Sequence, residues 1–121
     1  MYRKLKSFEE RLAESAKIRK KYPTRVPIII EKLPSSNMPS MKKTKFLVPE
    51  DMQITNLIAV VRKNIELQPS EALYLFVNGS LLSGSQQLAV IYESHKSEDN
   101  FLYVQFASEA TFGKCEEFIN K

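Results

Sequence analysis

At 121 residues the chain has room for one compact domain with a single core and too little for two of ordinary size. A hydrophobic share of 43% with only 3 glycines and 6 prolines excludes a disordered chain, because enough apolar surface is available to offset the entropy of ordering. A formal charge of +4 suits an acidic partner or an anionic membrane face and selects neither, while a single cysteine, Cys115, and a single histidine, His95, leave no internal disulfide and almost no ligand set for zinc.

The apolar runs 26–30 and 58–61 fall far short of the roughly 20 residues of a membrane-spanning helix. Residues 1–7 are basic but lead into charged sequence, so no secretory signal is expected and the cytoplasm is the default compartment.

Residues 7–22 read as a helix: Ser7 is the N-cap, Glu10 completes a capping box and Pro23 ends the run. Phe8, Leu12 and Ile18 supply a thin apolar stripe, which places this helix on the surface with its other face strongly basic. The branched run RVPIIIEKL, residues 25–33, reads as a strand with Pro27 at its edge or start. Residues 34–42 form a polar turn, and KTKFLV, residues 43–48, is a second strand stopped by Pro49, so the two strands make a hairpin with a short link.

Ile54, Leu57, Ile58, Val61 and Ile65 recur at helical spacing and mark a helix that buries one stripe against the sheet, with Val60 off that stripe and partly exposed. ALYLFV, residues 72–77, is the next strand, and Asn78-Gly79 supplies a turn that tolerates positive φ. A short helix over residues 87–95 and a last strand, FLYVQFA over 101–107, complete the ordered part. Beyond it, residues 114–121 carry no hydrophobic pattern and read as a loose tail. The order is an α+β arrangement that resembles the β-grasp of ubiquitin with an N-terminal helical extension, although order alone also fits ferredoxin-like rivals.

Four stretches carry a closer resemblance: KIRKKYPTRVPIIIEK (17–32), KFLVP (45–49), ALYLFVN (72–78) and FLYVQFASEATFG (101–113). Together they are similar to the autophagy ubiquitin-like modifiers, and the likeness runs along almost the whole chain. It implies a helical extension over 1–24, a β-grasp core over 25–107, a conjugation arm over 108–113 and a removable tail over 114–121. It further implies that a cysteine protease cuts after Gly113, with Phe112 as a grip. Activating-like and conjugating-like enzymes then pass the Gly113 carboxylate to phosphatidylethanolamine, moving the chain from cytoplasm to autophagosome membrane. Catalysis and cofactors belong to those enzymes, and this chain is not expected to be one. Glycine suits the junction because no Cβ obstructs approach to its carbonyl. By itself, Gly113 is an ordinary glycine near a chain end.

The resemblance also implies docking of peptides from cargo receptors that carry an aromatic residue, two variable positions and an aliphatic residue, by β-augmentation of the second strand. The aromatic pocket is implied at Glu14, Ile18, Pro27, Ile29, Lys45, Leu47 and Phe101, and the aliphatic pocket at Phe46, Val48, Pro49, Met52, Leu57 and Val60. Strand alternation does not separate pocket from core for Ile29, Leu47 and Phe101. The basic face comprises Lys17, Arg19, Lys20, Lys21, Arg25 and Lys43, with Lys42 and Lys45 nearby; such a run is ordinarily a solvated face, or here an attractor for acidic flanks or anionic lipid. Nucleic acid is not expected, because no aromatics interleave with the lysines. Cys115 is a bystander thiol without a base. The alternative is a non-lipidated peptide-binding or cytoskeleton-associated adaptor of the same fold.

Overall fold

The computed structural model describes residues 2–34, 36–39 and 41–108. In chain order the elements are α1 (Tyr2–Leu5), α2 (Phe8–Lys21), β1 (Arg25–Lys32), β2 (Lys45–Pro49), α3 (Ile54–Asn64), β3 (Tyr74–Val77), β4 (Ser80–Leu81), α4 (Leu88–His95) and β5 (Leu102–Ala107). The strands form one mixed sheet in the order β2-β1-β5-β3-β4. β1 runs antiparallel to β2 and parallel to β5, and β3 is antiparallel to both β5 and β4. The conjugation arm and tail expected over 108–121 lie outside the described residues beyond Ser108.

Each sheet face gathers one set of alternating side chains. Val26, Ile28 and Ile30 of β1, Phe46 and Val48 of β2, and Leu102, Val104 and Phe106 of β5 share the main core with Ile54, Leu57 and Val61 of α3. Ile29 belongs instead to a second cluster with Tyr2 and Phe101, against which Ile18 of α2 packs. A central strand covered on both faces loses the apolar-polar alternation, which is why β1 reads as a near-continuous branched run.

Pro27 sits inside β1 at no cost to the ladders. The Ile30 N–H donates to Thr44 O at 2.8 Å toward β2, so the nitrogens of Val26 and Ile28 point the same way and that of Pro27 points to the opposite side. There the parallel ladder with β5 begins only at Ile28. Proline therefore stands where no donor is needed.

The Ser7 capping box forms as its residue types dictate: Ser7 Oγ accepts from Glu10 N at 3.1 Å, and Ser7 N donates to Glu10 Oε1 at 2.8 Å. Only Ser15 of α2 is buried, in keeping with a surface helix. The connection between β1 and β2 is longer than expected, spanning residues 33–44, and it is not wholly polar: Met38 and Met41 turn back into the main core. Two elements carry no advance signal, α1 and the two-residue β4, which follows Asn78 (φ 51°) and Gly79 (φ 81°). Two successive left-handed residues twist the backbone in the sense a tight hairpin requires.

A buried carboxylate fastens α2 to the sheet. Asp99, fully buried before β5, accepts from Arg11 Nη1 at 2.6 Å, the Tyr103 hydroxyl at 2.5 Å and the Phe101 N–H at 3.0 Å. Its carbonyl accepts from Ser15 Oγ at 2.5 Å. Burial, reinforced by the hydrogen bond to Asp99, raises the Tyr103 phenol above its ordinary pKa. Among the described residues every buried side-chain nitrogen and oxygen has a partner.

Candidate functional site

β2 ends the sheet, and the register with β1 decides which of its backbone groups face outward. Thr44 O and Glu50 N bond to residues 30 and 24 on the β1 side, so the even-numbered positions of β2 serve the ladder. The peptide groups of Lys45 and Leu47 point away from it. Leu47 O is met by Arg25 Nη1 at 3.4 Å, and Pro49 carries no donor. A terminal strand with outward amides is a template for an added strand.

The same alternation sends the side chains to opposite faces. Lys45, Leu47 and Pro49 are half-buried on the face that carries α2, whereas Phe46 and Val48 are buried on the face that carries α3. Of the thirteen residues expected to line two pockets, the α2 face brings together Glu14, Ile18, Pro27, Ile29, Lys45, Leu47 and Phe101. Within this group Ile29 and Phe101 are wholly buried and form its floor, while Ile18, Lys45 and Leu47 retain partial exposure. The α3 face holds five of the six aliphatic residues: Phe46, Val48 and Leu57 are core residues, and Met52 and Val60 pack half-buried against them. Pro49 does not join them, because strand alternation turns it to the α2 face. Val60 is thus partly exposed, as its place off the helical stripe requires.

Charge on the α2 face is organised around Glu14. Its carboxylate accepts from the Tyr2 hydroxyl at 2.6 Å and from Lys6 Nζ at 3.3 Å, and it forms an ion pair with Lys45. Burial, with the neighbouring Lys6 charge, holds the Lys45 ammonium below the ordinary lysine pKa. A shallow concavity lined by Lys6, Glu14, Lys17, Ile18, Lys21 and Tyr22 continues along α2. Of the expected basic face, Lys17, Lys20, Lys21, Arg25 and Lys43 are exposed. Arg19 is committed inward: its guanidinium donates to Arg25 O at 2.6 Å and lies 5.3 Å from the Tyr92 ring centroid. Phe112 and Gly113 lie outside the described residues.

The family model described as autophagy protein Atg8, ubiquitin like, matches residues 10–113. This chain belongs to the Atg8 family. The autophagy-related protein 8 of Mycosarcoma maydis is 44% identical over 108 residues, which cover 89% of this chain and 92% of that protein. That of Schizosaccharomyces pombe is 44% identical over 112 residues, covering 93% of each. Among solved structures, the crystal structure of Trypanosoma brucei ATG8 superposes with a TM-score of 0.86 at 40% identity and covers 93% of this chain and 97% of that one. An autophagy ubiquitin-like protein is therefore the established reading, and the β-grasp with N-terminal helices is the fold of an Atg8-family member.

Among the described residues of this Atg8-family chain, no helix is long and apolar enough to cross a membrane, and no group of three or more His, Cys, Asp or Glu could hold a metal ion. One site residue escaped the reading of the sequence. Tyr2, 7% exposed, stands with its ring edge-to-face against Phe101 at 5.4 Å. The only hint was an aromatic residue set in the basic segment MYRKLK.

Proposed function

We propose that this Atg8-family chain is cut after Gly113 and joined through the new carboxylate to phosphatidylethanolamine on autophagosomal membranes. There it recruits cargo receptors and autophagy factors through aromatic-x-x-aliphatic peptides. The observation that carries the docking half is the arrangement around β2: outward amides at Lys45 and Leu47, with one apolar group on each face of the strand. In an extended guest, side chains three positions apart point to opposite faces. An aromatic residue and an aliphatic residue separated by two others therefore straddle this edge, one beside Ile18 and Leu47 and one beside Met52 and Val60, while main-chain pairing supplies affinity.

The conjugation half is supported by the family match, which extends to residue 113. A processing cysteine protease hydrolyses the bond between Gly113 and Lys114 with one water. An activating enzyme then spends ATP to form the acyl adenylate and releases pyrophosphate; its cysteine thiolate displaces AMP to give a thioester, and exchange with a second thiol carries the acyl group to a conjugating enzyme. The ethanolamine nitrogen attacks that thioester carbonyl, expels the thiolate and forms an amide. The chain supplies only the acyl group. Intact mass after exposure to cell extract tests this: the expected product ends at Gly113, and Gly113→Ala stays full length. A wild-type chain that persists uncut under conditions that process a relative sinks the conjugation reading and leaves a non-lipidated adaptor.

For docking, the half-buried Lys45 and Leu47 are the residues to change. Phe46, Val48 and Leu57 are core residues, and truncating such a side chain costs about 2–5 kcal/mol of stability, which would confuse lost binding with lost fold. Lys45→Glu combined with Leu47→Ala should weaken a calorimetric titration with an aromatic-x-x-aliphatic peptide while the circular dichroism spectrum is unchanged. Equal affinity in variant and wild type refutes the pocket.

A further inference from the structure

The group of residues that would receive a guest's aromatic side chain already holds an aromatic side chain of this chain's own. Tyr2 is almost wholly buried in a cluster with Ile29 and Phe101, with Ile18 packed beside it. Its hydroxyl is bonded to Glu14 at 2.6 Å, and Lys45 Nζ lies 5.8 Å from its ring centroid. Tyr2 thus bonds to Glu14, stands edge-to-face with Phe101, lies beside Lys45 and shares one apolar cluster with Ile29 and Ile18, five of the seven residues assigned to the aromatic pocket. We infer that Tyr2 is an intramolecular competitor for that pocket, a latch that an incoming aromatic-x-x-aliphatic peptide displaces.

The latch rests on the docking reading above, and its construction suits exchange. α1 has only four residues, too few for a helix to persist unaided, and Leu5 at its end is 80% exposed. The segment is fastened at Tyr2, at the Tyr2 N–H, which donates to Glu31 Oε2 at 2.8 Å, and at Arg3, whose guanidinium lies 3.9 Å from the Tyr103 ring centroid and donates to Ser97 Oγ at 3.1 Å. Release of this segment leaves α2 in place, because Arg11 and Ser15 hold that helix independently through Asp99. A guest ring against Phe101, Ile29 and Ile18 recovers the apolar burial that the Tyr2 ring gives up. The exchange swaps like for like, so neither state is overwhelmingly favoured, and apparent affinity is reduced by the fraction of molecules whose pocket is filled from within.

The chain contains no tryptophan, so the indole fluorescence of a Trp-x-x-Leu peptide reports its own burial on the full-length protein. Tyr2→Ala should tighten binding by about tenfold, the factor for a pocket filled in about nine molecules of ten, and Tyr2→Phe, which keeps the ring and loses the bond to Glu14, should tighten it by about threefold. Unchanged or weaker binding by Tyr2→Ala, with binding still lost in the Lys45→Glu, Leu47→Ala variant, overturns the latch and leaves the pocket standing. Binding that ignores the Lys45 and Leu47 changes overturns the pocket and the latch together. A readout on the wild-type chain guards against misfolded variants: saturating peptide should abolish the nuclear Overhauser contact between the Tyr2 and Phe101 rings, and its persistence in the complex overturns the proposal.

Discussion

Asp99→Ala is the sharpest test of how the helical extension is held to the sheet. The substitution removes an acceptor that satisfies the buried Phe101 N–H and the Tyr103 hydroxyl, and it also discharges the ion pair with Arg11, which sits nearer the rim and can recover solvation. Each orphaned donor costs about 1–3 kcal/mol, and breaking a buried pair by removing one partner costs about 3–5 kcal/mol, so a loss near 3 kcal/mol is the conservative expectation. In urea, at a slope of roughly 1.5 kcal/mol per molar, the midpoint should fall by about 2 M with the slope preserved. Tyr103→Phe deletes one donor and keeps the ring, and should cost only about 1 kcal/mol. An Asp99→Ala loss below about 1 kcal/mol would show that the network is not what secures α2.

Ser7→Ala removes the side-chain half of the capping box and should cost about 1 kcal/mol in thermal or urea unfolding, whereas Ser7→Asn should be nearly neutral. A Cβ at Gly84 would lie 2.5 Å from Thr55 Oγ1, so Gly84→Ala should cost about 1–3 kcal/mol. The loss should shrink in the Gly84→Ala, Thr55→Ala double variant, and strict additivity of the two changes counts against the clash. Burial raises the phenol pKa of Tyr2, Tyr92 and Tyr103, so the unfolded chain ionises first at alkaline pH. The stability they contribute is complete below about pH 10 and is lost as pH climbs through their raised values. The melting temperature should therefore fall across that window, and Tyr103→Phe should flatten the fall. Lys45, whose lowered value acts in the opposite sense, only moderates it.

Much of this fold could be read from local chemistry. The cap, the basic face and the terminating Pro23 define α2, and the stripe from Ile54 to Ile65 defines α3 because only its buried positions recur at helical spacing. What stayed hidden depends on distant contacts. Arg11 and Asp99 are 88 positions apart, and neither residue type announces burial. Composition makes residues 34–42 look like a polar turn, yet Met38 and Met41 reach back to the core on their flexible side chains. In the candidate site, alternation places Pro27, Ile29, Lys45 and Leu47 on one face but says nothing of depth. Ile29 is sealed by Tyr2 and Phe101, while Leu47, on the terminal strand, remains half open. α1 offers no periodicity in four residues, and its position is set by where Tyr2 lodges.

The parallel pairing of β1 with β5 also has a mechanical meaning. β1 begins at Arg25, just after α2, and β5 ends at Ala107, five residues after its first partner contact with Ile28 at Leu102. Tension applied to the arm beyond Ser108, against a load held at the N-terminal helices, draws these two neighbours past one another along their length. All the bonds of the central ladder then resist together and none can be peeled first. A tether formed beyond Ser108 and a load carried by the N-terminal helices would pull on the sheet in its strongest direction.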